Sequence, residues 1–229
     1  MASLRILLTN DDGWDAPGLA ALKTAAASLG NVVVVAPRDP HSYAGHRVTT
    51  DAALEIRETA AGEYSLSGTP ADCVRVALTS VFPDVDLVIA GINRGGNLGA
   101  DVYISGTVAA AREAALLGRR AIAISQFIRR DMALDWSESA RHGRGILARL
   151  LEDVHESKSY WNVNLPHVVP EAIPSIVHCE PDNEPLDVRF RREGDLLHYA
   201  GSYPARPRTP GRDVETCFGG AITVSKLRL

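Results

Sequence analysis

Four short apolar runs set the terms of this chain. They are Arg5 to Thr9 (RILLT), Val32 to Ala36 (VVVVA), Val85 to Ala90 (VDLVIA) and Ala121 to Ser125 (AIAIS). They are rich in β-branched residues, bounded by turn formers and too short for helices, so they read as buried strands. Between them lie Ala- and Leu-rich stretches, Gly18 to Leu29, Ala71 to Phe82 and Val108 to Leu117, which end near Gly30, Pro83 and Gly118 and read as helices. Strand and helix in alternation predict an α/β fold: a Rossmann-like, mostly parallel sheet flanked by helices. Such sheets bind ligands outside the carboxyl ends of their strands.

Beyond the alternating region, apolar residues at Ile146, Leu147, Leu150, Leu151 and Val154 have helical spacing, which predicts a helix from Trp136 to about His155. After Asn164-Leu165-Pro166 the prolines multiply. The chain therefore divides into a Rossmann-like core, residues 1–163, and a less regular C-terminal region, residues 164–229, expected to hold a β-hairpin arm and a returning strand from Ala221 to Leu229. Trp136, Trp161 and Tyr64 are expected to pack in the interior, and the seven histidines look scattered.

Composition narrows the partners. With 229 residues, 45% hydrophobic, the chain can bury a sizeable core. A net charge of −4 offers no general attraction for nucleic-acid backbone or anionic membrane, so a phosphate-bearing ligand needs a local site and small substrates are favoured over polymers. No run is long enough to span a bilayer, and the first residues lack the basic and apolar regions of a signal peptide. Three widely spaced cysteines, Cys73, Cys179 and Cys217, fit neither a disulfide framework nor a zinc site and point to a reducing cytoplasm.

Three polar motifs follow the strands. Asn10-Asp11-Asp12-Gly13 places adjacent carboxylates where the chain turns; they repel each other and suit a hard cation, though the same residues form ordinary turns. Arg38-Asp39-Pro40-His41-Ser42 supplies a hydroxyl, and Arg38, His41 and Arg47 could meet phosphate. Gly91-Ile92-Asn93-Arg94-Gly95-Gly96-Asn97-Leu98-Gly99, then Ser105-Gly106-Thr107 at a helix start, has the construction of a phosphate cradle, with Thr107 a good N-cap. The Walker lysine and serine are missing, which disfavours a P-loop triphosphatase, and the first strand does not lead into Gly-x-Gly-x-x-Gly, which disfavours a dinucleotide oxidoreductase.

Taken together, Leu7-Leu8-Thr9-Asn10-Asp11-Asp12-Gly13 with Ala16-Pro17-Gly18, then Gly68-Thr69-Pro70-Ala71-Asp72-Cys73-Val74, Gly91-Ile92-Asn93 with Asn97-Leu98-Gly99, and Ser105-Gly106-Thr107-Val108-Ala109-Ala110-Ala111 resemble, in order, the signatures of the SurE (survival protein) nucleotidases. The resemblance is close over the first half of the chain. It implies homo-oligomeric assembly, a homodimer or homotetramer, and hydrolysis of nucleoside 5′- and 3′-monophosphates with one divalent metal ion, Mg²⁺ or Mn²⁺, with Ca²⁺ able to occupy the site. It carries the metal ligands onto Asp11, Asp12, Ser42 and Asn93. Asp11 and Asp12 are then the catalytic carboxylates, with Asn97, Ser105, Gly106 and Thr107 around the phosphoryl group. Attack by water and an aspartyl-phosphate intermediate both remain open. A non-catalytic nucleotide sensor is the rival reading. Tyr43 departs from the family pattern, which has glycine after the metal-binding serine, and the chain stops at Ser225-Lys226-Leu227-Arg228-Leu229, where relatives continue.

Overall fold

In the computed structural model, which describes residues 3–153 and 156–229, the alternation resolves into one nine-stranded sheet. Strands β1 (Arg5–Thr9), β2 (Asn31–Pro37), β5 (Leu87–Arg94), β6 (Arg120–Gln126) and β7 (Ser159–Leu165) run parallel, joined at one side by β4 (Glu63–Leu66). Strand β3 (Ile56–Ala60) lies antiparallel on β4 and closes that edge. At the other side β11 (Ile222–Arg228) runs antiparallel to β7, with β8 (Ile176–His178) beside it, giving the order β3-β4-β2-β1-β5-β6-β7-β11-β8. A separate two-stranded hairpin, β9 (Phe190–Glu193) and β10 (Leu196–Tyr199), stands apart from the sheet.

Two apolar layers cover the faces. On one, α1 (Pro17–Ala26) and α4 (Trp136–Glu152) seal Ile6, Leu8, Ile89, Ile124 and Val163. On the other, α2 (Pro70–Val76), a π turn (Ala77–Val81) and α3 (Gly106–Leu116) seal Leu7, Val35, Val88 and Ala123. Alternation along each strand sends successive side chains to opposite layers, which is why β1, β2, β5 and β6 each carry an unbroken apolar stretch. Trp136 and Trp161 pack on the first layer and Tyr64 on the second, as expected.

Element boundaries shift from the sequence reading. The second helix is α-helical only to Val76 before its π turn. Strand β5 starts at Leu87 and runs on to Arg94, so Asn93 stands on the strand's last residues and not in a loop after it. Helix α4 ends at Glu152; the expected extension to Val154 and His155 lies outside the described residues. Beyond residue 163, β7 finishes, the expected hairpin forms, and β11 returns within the range anticipated for it.

Candidate active site

The carboxyl ends of β1, β2 and β5 and the start of α3 converge on Asp11. Its main-chain oxygen accepts from the His41 amide at 2.7 Å, which brings the loop carrying Ser42 beside the first carboxylate. Its side-chain Oδ1 accepts from the Thr107 hydroxyl at 2.6 Å. A Cβ on Gly106 would lie 3.0 Å from both Cβ and Oδ2 of Asp11, so the helix start can pack this closely only as glycine. Asp12 Oδ2 accepts from the Arg94 amide at 2.9 Å, which draws the end of β5, with Asn93, onto the same turn. Asn93 donates its side-chain amide to the Gly95 carbonyl at 2.8 Å. Gly91 (φ +141°) lets β5 pass β6, because a Cβ there would meet Ile124 O at 2.1 Å.

Helix α3 corrects one sequence expectation. The N-cap is Ser105, whose hydroxyl accepts from the Val108 amide at 3.0 Å; Thr107 is inside the first turn and spends its hydroxyl on Asp11. A hydroxyl two residues inside the helix cannot accept from the first-turn amides as an N-cap does, so it is free to serve the neighbouring loop. The main-chain N–H groups of Gly106 and Thr107 have no intrahelical acceptors and mark the positive end of the helix.

Asn97, buried like Ser105 and Thr107, is committed to partners within the fold. It donates its side-chain amide to Ser125 Oγ at 2.7 Å, while its main-chain N–H donates to Asn164 Oδ1 and its carbonyl accepts from Asn162 and Asn164. Ser42, in contrast, is exposed at the turn beside Tyr43, whose φ is 59°.

The electrostatics favour a cation. Burial pushes the Asp11 carboxyl up to about 6; the Thr107 hydrogen bond opposes this and the Asp12 charge adds to it. Among the described residues neither Asp11 nor Asp12 has a Lys, Arg or His partner in an ion pair, so the protein brings no counter-charge of its own to these two carboxylates. Nor, among those residues, do three His, Cys, Asp or Glu side chains gather as a metal cluster. A cation here would complete its shell with hydroxyl and amide oxygens such as those of Ser42 and Asn93, a set suited to Mg²⁺, Mn²⁺ or Ca²⁺. The residues present fit the group.

Several supports escaped the sequence reading. Asp72 and Thr69 form a reciprocal cap on α2, and Asp72 also accepts from the Thr49 amide and hydroxyl, each at 2.8 Å. The Thr69-Pro70-Ala71-Asp72 spacing announces that cap. Asp101, Arg206 and Asp213, which hold the loop before α3, have no local signal, being brought together from residues more than a hundred positions apart. His46 is not a scattered surface residue: it pairs with Glu113.

A doubly flanked parallel sheet with an acidic turn after its first strand and a hydroxyl-rich helix start beside it defines a Rossmann-like hydrolase-type scaffold, and comparison with known proteins agrees. The sequence model of the family described as Survival protein SurE matches residues 6–185, and the chain belongs to that family. It is 47% identical to a putative 5′-nucleotidase of Nostoc sp., over 99% of this chain and all of that one. It is 38% identical to the 5′-nucleotidase SurE of Paramagnetospirillum magneticum, over 99% of this chain and 90% of the relative. The crystal structure of the SurE protein from Aquifex aeolicus superposes with a TM-score of 0.88 at 34% identity, covering 98% of this chain and 93% of that one. No helix among the described residues is long and apolar enough to cross a membrane.

One consequence of the Thr107 contact can be measured directly. The hydroxyl stabilises ionised Asp11, so Thr107→Val, which keeps the shape, raises the Asp11 pKa further. In a site that holds Mn²⁺ through that oxygen protons compete with the metal, so the pH below which Mn²⁺ binding fades should move upward in the variant. Mn²⁺ titrations between about pH 5 and pH 8 check this; superimposable affinity-against-pH curves would remove Thr107 from the site.

Proposed function

We propose that the chain is a phosphomonoesterase that hydrolyses nucleoside 5′- and 3′-monophosphates, aided by one divalent cation held by Asp11, Asp12, Ser42 and Asn93. The observation that carries the reading is the buried, uncompensated Asp11 beside Asp12, directly against the amino end of α3. When bound, the cation supplies positive charge that neutralises the phosphoryl oxygens and makes the phosphorus a better target.

The chain's own groups divide the remaining tasks. The N–H group of Gly106, with the Ser105 hydroxyl, offers donors where negative charge builds on the phosphoryl oxygens, while Thr107 turns both its hydroxyl and its N–H toward Asp11. Asp12, tied through one oxygen to the Arg94 amide, keeps its other oxygen to orient a water and receive its proton. Asn97 acts from below, fixing the glycine-rich turn through Ser125 and Asn164. The alternative, Asp11 or Asp12 as nucleophile, predicts a phosphorylated enzyme that can be trapped by acid quench.

Substrates are small nucleotides, in keeping with the net charge of −4. The exposed apolar residues of β9 and β10, Phe190, Leu196, Leu197 and Tyr199, are a natural contact for a second copy of the chain, consistent with a homodimer or homotetramer. A cytoplasmic location fits three free cysteines.

Phosphate release from a panel of nucleoside monophosphates, with EDTA and then with Mg²⁺, Mn²⁺ or Ca²⁺, tests the reading. Activity should vanish on chelation and return with Mg²⁺ or Mn²⁺. Undiminished turnover after exhaustive chelation would end the metal mechanism, and nucleotide binding without turnover would favour the sensor.

A further inference from the structure

Ser42 sits in the segment between β2 and β3, residues 38–55, which holds no helix or strand. A weak hydroxyl ligand on an exposed turn contributes little unless the turn is held still. Main-chain contacts secure its approaches: the His41 amide on Asp11 O, and the Gly45 amide on Ile104 O at 3.0 Å. Further on, the Thr69 hydroxyl donates to Arg47 O at 2.6 Å. Nearer to Ser42 than the Thr49–Asp72 contact is that of His46, whose Nε2–H donates to Glu113 Oε2 at 2.6 Å.

Glu113 is an unusual residue to find there. Its side chain is only 3% exposed, on α3, and its other oxygen accepts from Arg75 Nε of α2 at 2.6 Å. Burial raises its pKa, but the hydrogen bonds from His46 and Arg75 outweigh that and hold the carboxyl below its ordinary value. Arg112 completes the surroundings: it reaches His46 Nδ1 at 3.4 Å, Tyr160 Oη at 3.0 Å and the Val102 carbonyl at 3.3 Å. With a carboxylate on one ring nitrogen and a guanidinium on the other, the ring's orientation is set from both sides.

Helix α3 thus touches two proposed ligand loops at once. Thr107 in its first turn holds Asp11, and Glu113, about 9 Å along the axis, holds the loop of Ser42. We propose that the His46–Glu113 pair is a positioning device for Ser42, using α3 as the ruler that sets this hydroxyl relative to the Asp11 carboxylate. The proposal rests on Ser42 being a cation ligand, as proposed above.

A double-mutant cycle on the metal-free full chain tests it, read by calorimetric Mn²⁺ titration so that turnover is not needed. His46→Ala should weaken Mn²⁺ binding about tenfold, the size typical of lost support behind a ligand. Ser42→Ala should weaken it comparably, and the double variant no more than Ser42→Ala alone, because His46 acts through Ser42. His46→Gln, which restores a side-chain N–H donor, should recover most of the loss. Unchanged affinity in His46→Ala, or a full further tenfold loss on top of Ser42→Ala, overturns the proposal. If His46→Ala does not fold, Glu113→Gln, which keeps the side chain's shape, carries the same cycle. A parent that binds Mn²⁺ and hydrolyses nucleotides while the cycle fails leaves the function standing; a parent that binds no Mn²⁺ removes both.

Discussion

Asp11→Asn and Asp12→Asn should each lose nearly all phosphate release while folding as stably as the parent, or more so, in the absence of metal. The Asp11 carboxyl is pushed up to about 6 in the fold, above its ordinary 3.8, chiefly by burial. A folded pKa above the unfolded one means that the metal-free fold loses stability as pH rises from about 4 to about 6 and does not regain it at higher pH. At neutral pH an amide in place of the ionised acid removes that cost, of about 1–3 kcal/mol, as well as the repulsion from Asp12. Mn²⁺ should reverse the order, because a cation that binds only the folded parent raises its melting temperature and does little for a site stripped of one charge. Four thermal melts, parent and Asp11→Asn with and without Mn²⁺, separate this from a turn role. A residue serving only the turn gives a variant that is less stable without metal yet keeps its response to Mn²⁺ and its activity.

The parallel core was legible because its strands carry their signal locally. RILLT and NVVVVAP carry unbroken apolar stretches, Ile6 to Leu8 and Val32 to Pro37, as strands covered on both faces do, and each leads into a polar turn. Strand β7 escaped for the same physical reason inverted. Asn162 and Asn164 are fully buried on one face while Trp161, Val163 and Leu165 pack on the other, so a core strand wears the polarity of a loop. Those asparagines are there to hold the main chain of Asn97, a demand set by the site and not by strand formation. The β3–β4 pair was missed because β3 (IRETA) is exposed along its whole length and has no buried face to leave a period.

The site divides along a similar line. Asp11 and Asp12 stood out as adjacent charges, and Ser105 and Thr107 as hydroxyls before an alanine-rich helix. What separated them, cap for Ser105 and carboxylate partner for Thr107, depends on which loop lies opposite, a fact of tertiary packing. His46 and Glu113, 67 residues apart, likewise have no meaning until α3 and the loop after β2 are brought together.

The C-terminal segment, irregular in sequence, should prove as necessary to the fold as the strands. Arg206, its side chain 3% exposed, donates through Nη1 to Asp101 Oδ2 at 2.7 Å and through Nη2 to Leu98 O at 3.2 Å. Nearby, Gly99 N donates to Asp213 at 2.8 Å, so two residues from beyond position 200 grip the turn that leads into Ser105. Arg206→Met fills similar space but leaves Asp101 buried without its cation. Removing one partner of a buried pair costs about 3–5 kcal/mol, and because Asp101 keeps the Tyr203 hydroxyl at 3.0 Å the lower end is expected. In a chain of this size about 3 kcal/mol lowers the melting temperature by about 6–12 °C. The companion variant Arg206→Met with Asp101→Leu should recover much of the loss, since no unpaired charge then remains, whereas Asp101→Leu alone should be nearly as damaging as Arg206→Met. Calorimetric melts of the three variants decide the matter. If Arg206→Met melts within about 2 °C of the parent, the pair is solvated in solution and the C-terminal segment is not what holds the turn before α3.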